Sequence, residues 1–300
     1  ILFVRSPKYG EKLSVNQVDW WGILFLASFI GSLQYVLEHG QQDDWFNDST
    51  ITLLSVISIF GLVAFIWREL VYDNPIVNLR VLRNSNLAIG TVMTFILGFG
   101  LYGSTFIIPI YTQSILGWTA TDAGLLLIPS SITTGLMMPL IGKMLERGVS
   151  QKYLVAAGFC IFFIYSFWMY TLITPDTGSE HMFWPLVVRG VGLGLLFVPI
   201  TTLALSTLKG KEIGEGAAFT GMMRQLGGSF GIAIITTLIY RLDQQHRVDL
   251  IPNISAIDPT TQQRVNGLQQ MYMSKGFSAN EALARAYQSL EGMIGLQGTV

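Results

Sequence analysis

The chain is 300 residues long, 51% hydrophobic and only 12% charged, with a formal net charge of −1. Soluble domains carry about 25% charged residues, so this composition, with a mean hydropathy of +0.49, specifies an integral membrane protein. A balance so near neutral argues against a nucleic-acid partner and turns attention to where the charges fall.

The N-terminal Ile-Leu-Phe-Val passes at once into the polar stretch 5–19, which reads as the end of a helix begun upstream rather than as a secretory signal. Apolar runs that match the roughly 20 residues of a membrane span follow at 20–38, 49–70, 86–112, 123–144, 153–173, 182–207 and 216–240. An eighth begins near 288 and stops short, so the chain is expected to be a fragment cut at both ends. Backbone groups must be satisfied within the hydrocarbon and the alternation of a β-barrel is missing, so the expected class is all-α. Cys160, the single cysteine, lies in the apolar run 156–169. It rules out an intrachain disulfide framework or a cysteine metal cluster and is expected to be buried or lipid-facing.

Among the short loops and helix ends, alternate ones hold the lysines and arginines. Arg5, Lys8 and Lys12, then Arg68, Arg80 and Arg83, then Lys143, Arg147 and Lys152, then Lys209 and Lys211 belong to one set, which is expected to face the cytoplasm. The loops 39–48, 113–122 and 174–180 have none and carry Asp43, Asp44, Asp48, Asp122, Asp176 and Glu180 instead. The segment 241–287 falls outside by the same count, and long loops escape the charge rule. Pro252 and Asp258-Pro259 mark turns in it, and 263–290 has helix-like apolar spacing. Two readings stand for this segment: a polar cap between helices, or a docking surface for a partner outside the membrane.

Pro109, Pro129, Pro139, Pro185 and Pro199, with glycines at 98, 100, 103, 190, 192 and 194, lie inside the spans. They provide kinks and close helix crossings. Two arginines, Arg189 and Arg224, also lie inside spans. An arginine there costs about 3 kcal/mol even on lenient insertion scales, so it faces protein or a water-filled cavity and marks a ligand or ion pathway. Enzyme chemistry at membrane depth has no support: His39, His181 and His246 sit at or beyond outer span ends, and there is no His-x-x-x-His motif or paired intramembrane carboxylate. Neither catalytic nor metal residues are nominated, and no cofactor is expected.

The loop Gly142-Lys143-Met-Leu-Glu146-Arg147-Gly148, continuing to Lys152, resembles the Gly-x-x-x-Asp-Arg-x-Gly-Arg-Arg loop of the major facilitator superfamily, with Glu146 in the acidic place. An acid among bases in a tight turn can latch neighbouring helix ends. Further resemblance runs along the chain: Gly31-Ser-Leu-Gln34, Gly40-Gln-Gln-Asp-Asp-Trp45-Phe46, Asp73-Asn74-Pro75-Ile76-Val77, Tyr111-x-Gln113-x-x-x-Gly117-x-Thr119-Ala120-x-x-Ala123-Gly124, Pro199-Ile-Thr-Thr202 and Arg224-Gln225-Leu-Gly227-Gly228-Ser229-x-Gly231. Together these resemble the EmrB/QacA type of drug:proton antiporter.

That resemblance implies fourteen helices in two six-helix bundles with an inserted pair between them. Residues 1–83 would then hold the end of the first bundle and the pair at 20–38 and 49–70. Residues 84–300 would form the second bundle, with 241–287 as an outer loop. It further implies proton-coupled efflux of lipophilic or amphipathic small molecules across a bacterial inner membrane, with a periplasmic adaptor and an outer-membrane channel as partners. The acids that couple protons would lie in the missing first bundle. A transport cavity is expected to include Arg189, Arg224, Gln225, Tyr102, Phe106, Tyr111, Phe197 and Met223, and a transporter of one defined metabolite stays open as the alternative.

Cysteines placed at Asp43 and Lys209 should label from opposite sides of intact membranes. Labelling of Lys209→Cys from outside would overturn the topology.

Overall fold

The computed structural model describes residues 19–72, 82–174, 177–250 and 259–298. The 1–18 stretch, the 73–77 motif, Arg80, Asp176, Pro252 and Asp258 lie outside these.

Helix α1 (Trp20–His39) begins where the Asp19 side chain accepts from the Gly22 N–H at 3.1 Å, which satisfies one of the open donors of a first turn. A short 3-10 turn at Trp45–Asn47 leads to Asp48, whose carboxylate caps α2 (Ser49–Val71) through the N–H groups of Thr50 and Ile51. The two helices pair along their length. Ser58 donates to the Phe29 carbonyl at 3.3 Å, and Arg68 closes the base on Asp19 at 3.1 Å while lying 4.2 Å over the Tyr72 ring. Burial opposes ionisation of Asp19, but bonds from Arg68 and Gly22 outweigh it and hold the carboxyl below its usual range.

The later helices are α3 (Ser85–Ser114), α4 (Ala120–Leu126), α5 (Ile128–Glu146), α6 (Gln151–Leu172), α7 (Ser179–Leu205), α8 (Lys211–Leu250), α9 (Pro259–Ser274) and α10 (Ala279–Gly298). The described residues form no strand, and seven helices are long and apolar enough to cross a membrane, α4 and α5 counting as one. Phe60, Phe163 and Trp184 stand exposed, an arrangement that water would penalise and lipid does not. Cys160 is exposed as well, on an apolar helix.

The chain divides into two compact units, with the boundaries falling inside α3, α7 and α8. One comprises Ile1–Gly98 with Ile200–Ser229, the other Phe99–Pro199 with Phe230–Val300. The first has a core of Leu87, Ala204 and Leu208. The second has one cluster around Ile108, Tyr165, Met182 and Leu186 and another around Ile141, Leu154 and Leu195.

Three elements differ from the apolar pattern. The run 123–144 is two helices, because Leu127 turns back to the Gly124 carbonyl and Pro129 opens α5, where a missing N–H costs nothing. Helix α8 continues to Leu250, past the expected end at 240, since leaving the hydrocarbon need not end a helix. The span expected from 288 is the later part of α10, which begins at Ala279 and is not among the seven apolar helices.

The segment read as an amphipathic outer loop is a helical hairpin. At the head of α10 the hydroxyl and N–H of Ser278 both donate to the Glu281 carboxylate, the carboxylate half of a capping box. Leu268 and Leu283 pack on Val265 and Ala286, Arg285 lies 4.0 Å over the Phe277 ring, and Tyr272 bonds Ser289 at 2.7 Å. Most of the apolar spacing is therefore spent inside the hairpin, while Met271 and Met273 stay exposed.

Helices α3 and α8 meet backbone to backbone in both units. A Cβ at Gly227 would collide with the Phe95 carbonyl in the first, and one at Gly231 would stand 2.6 Å from the Phe99 carbonyl in the second. Small residues permit such crossings where lipid supplies no hydrophobic drive. Gly227→Val and Gly231→Val should each cost about 1–3 kcal/mol of overpacking, read as a fall in thermal midpoint in detergent. Gly221→Ala, on the same helix but facing open space, should not lower it; equal losses at all three positions would refute the close crossing.

Candidate transport site

Arg189 sits about 15 Å along α7 from its start, by the helical rise per residue, and is only 4% exposed. Two glycines one turn apart let α7 approach α5: a Cβ at Gly190 would stand 2.5 Å from the Ser130 carbonyl, and one at Gly194 the same distance from the Met137 Cβ. That approach brings acceptors within reach. Arg189 Nε donates to Ser104 Oγ at 3.0 Å, Nη1 to Ser130 Oγ at 3.1 Å, and Nη2 to the Leu101 carbonyl at 3.3 Å and to Thr105 Oγ1. The guanidinium thus ties α7 to α3 and α5. Each of these partners is neutral.

Sequence reasoning missed Ser104, Thr105 and Ser130. A usable signal was present: an arginine inside a span needs acceptors, and hydroxyl residues on neighbouring spans are the available ones.

Alongside this cluster, in the same unit, lies a cavity of about 390 Å³ lined by Tyr102, Thr105, Phe106, Pro109, Gln113 and Ile232 among others. Two nominated residues, Tyr102 and Phe106, meet there, and Thr105 links the cavity wall to Arg189. Tyr111 does not join them. It is buried in the core cluster and its hydroxyl donates to the Thr174 carbonyl. Phe197 is half-buried in the same unit, whereas Met223, Arg224 and Gln225 are half-buried in the other.

A second cavity, of about 690 Å³, is lined by Trp118, Asp122, Leu125, Pro129, Glu180 and Phe183 among others. Its two acids are exposed and stand in the first turns of α4 and α7, where they complement the helix dipoles. Among the described residues no group of three or more His, Cys, Asp or Glu is placed to hold a metal ion.

A profile of the Major Facilitator Superfamily matches residues 3–232. The chain belongs to that superfamily. It is 29% identical over 86% of its length to the multidrug export protein EmrB of Haemophilus influenzae, covering 50% of that protein, and 28% identical over 87% to EmrB of Escherichia coli K12, covering 51%. It is also 31% identical over 91% of its length to the fatty acid resistance protein FarB of Neisseria gonorrhoeae, covering 54%. The chain spans about half the length of the curated relatives it matches, and the EmrB matches fall in their C-terminal half.

In this facilitator the loop from Gly142 to Lys152 is shaped by its backbone. Arg147 N–H returns to the Lys143 carbonyl, Val149 N–H to the Met144 carbonyl, and Gly148 takes a φ of +87° that suits glycine. Lys143, Glu146, Arg147 and Lys152 are exposed, and among the described residues no ion pair joins them.

Arg189→Ala should still insert but lose about 2–4 kcal/mol of stability, from the lost charged hydrogen bonds and the void left behind. Ser104→Ala, which removes one acceptor, should cost about 1 kcal/mol. Thermal unfolding in detergent measures both, and an Arg189→Ala variant as stable as the parent would show that the arginine is not a clamp.

Proposed function

We propose that the intact protein is a proton-coupled exporter of lipophilic and amphipathic compounds across a bacterial inner membrane, and that this chain supplies its second bundle. On this proposal residues 1–83 hold the end of the first bundle and the inserted pair, and 84–300 form the second bundle. The observation that carries it is the superfamily match over residues 3–232, joined to relatives named for multidrug export and fatty acid resistance. The cavity supports it physically: about 390 Å³ walled by Tyr102, Phe106, Pro109 and Ile232 suits apolar ligands held by weakly directional contacts. Transport proceeds by rocking of two bundles about a midplane site.

Within the second unit Arg189 and Phe197 join Tyr102 and Phe106 as transport residues on this proposal, with Tyr111 supporting them from the core; Met223, Arg224 and Gln225 are the transport residues proposed for the first unit. The loop of Gly142, Lys143, Glu146, Arg147 and Lys152 is the proposed latch of the cytoplasmic helix ends, its exposed charges available to partners beyond the described residues. The extended α8 and the α9–α10 hairpin form the contact for a periplasmic adaptor that leads to an outer-membrane channel. Exposed Met271 and Met273 suit such a surface.

The full-length gene, placed in a strain stripped of its own pumps, should raise tolerance to several unrelated lipophilic toxicants. Unchanged tolerance to every compound would favour transport of one defined metabolite. With residues 259–289 replaced by a Gly/Ser linker, the purified transporter should keep its ligand affinity while cells lose resistance; full resistance would make the hairpin a cap.

A further inference from the structure

Export as proposed above leaves open which compounds the α3 cavity prefers, and the charge behind its wall bears on that question. Thr105 is at once a wall residue and an acceptor for Arg189 Nη2. A full positive charge therefore stands one hydrogen bond behind the surface that a ligand would touch. The Thr105 hydroxyl proton is already donated to the Leu101 carbonyl at 2.7 Å. The guanidinium's other partners are the Ser104 and Ser130 hydroxyls and that same carbonyl, so no acid in its hydrogen-bonded shell neutralises it.

We propose that this cavity selects anionic amphiphiles, a single apolar chain with a carboxylate or similar head, and that Arg189 determines the preference through Thr105. The tail lies against Tyr102, Phe106, Pro109 and Ile232. The head settles at the Thr105 side of the cavity, where the potential from Arg189 is highest. A unit charge acts with inverse distance and is weakly screened where water is sparse. A cationic head is repelled by the same field and a neutral one is indifferent. One feature of the wall opposes this: Pro109 has no N–H to return to the Thr105 carbonyl, so an acceptor dipole is exposed there. A full charge outweighs a single peptide dipole at comparable distance. Since four of the arginine's five N–H groups are bonded within its own shell, it sorts ligands by the sign of their charge and does not present the planar fork that grips a particular headgroup.

The test is equilibrium binding of dodecanoate, dodecanol and dodecyltrimethylammonium to the full-length protein in zwitterionic nanodiscs at neutral pH. Dodecanoate should bind more tightly than the cation by about tenfold or more, each tenfold being about 1.4 kcal/mol. Arg189→Gln, which keeps amide donors but removes the charge, should collapse that ratio. Thr105→Asp, which neutralises the charge and leaves the arginine in place, should collapse or invert it. Arg189→Lys should keep it, and Phe106→Ala should weaken all three probes alike, which places them in this cavity. A wild-type protein without the ratio, a ratio that survives both neutralising variants, or displacement of dodecanoate by anionic phospholipid would overturn the assignment. Cellular resistance without any charge preference in binding would sink this inference and leave export standing. A charge preference in a protein that gives no resistance to any toxicant would support the inference and overturn export.

Discussion

A guanidinium held away from water has five N–H donors in one plane and no means of shedding its charge, so a membrane protein keeps it only where acceptors converge on it from several directions. Arg189 imposes that demand on the second unit, and much of the local architecture follows from it. Helix α7 must come close enough to α5 for the Ser130 hydroxyl to be reached, which leaves no room for side chains at Gly190 and Gly194. Ser130 in turn lies in the first turn of α5, immediately after the proline that opens that helix beyond the break at Leu127. Helix α3 contributes two hydroxyls and a carbonyl from a single turn, residues 101 to 105. Residues whose bare role is to kink or thin a helix thereby assemble one polar shell.

The spans themselves were legible. Runs drawn at 20–38, 49–70 and 86–112 became Trp20–His39, Ser49–Val71 and Ser85–Ser114, because in hydrocarbon an apolar stretch has no alternative to the helix. Hydropathy reports where a segment leaves the membrane and says nothing of where hydrogen bonding stops. Residues 241–250 are mostly polar and still helical, so the apolar run ends before α8 does. The α4–α5 break was hidden for a related reason: a window averaged over a span does not register one residue that turns, although Pro129 marked the place.

Within the site, Arg189 was visible as a misplaced charge, whereas its shell was not. Serine and threonine are common in membrane helices, and these partners lie 59 to 88 residues away in sequence, a distance over which spacing carries no information. Tyr102 and Tyr111 show a signal that was present and unused. Nine positions at 3.6 residues per turn place them on opposite faces of α3, so one lines the cavity while the other packs in the core. Phe106, four residues from Tyr102, stays on the cavity face. Helical phase separates residues that chemical type alone had grouped together.

Breadth of substrate and selectivity by charge place opposite demands on a binding wall. Apolar and aromatic contacts accept many shapes because they are weakly directional, and an arginine that reached the ligand would end that tolerance, since its planar fork binds carboxylates in fixed geometry. An arginine bonded to its own hydroxyl shell just behind the wall escapes the conflict: four of its five donors are engaged by Ser104, Ser130, Thr105 and Leu101, and what reaches the cavity is a potential without a shape. The desolvation cost of such a charge is repaid by hydrogen bonds that exist whether or not a ligand is present. It therefore need not be recovered from each substrate, and a wall of this kind remains compatible with many tails as long as the head has the right sign.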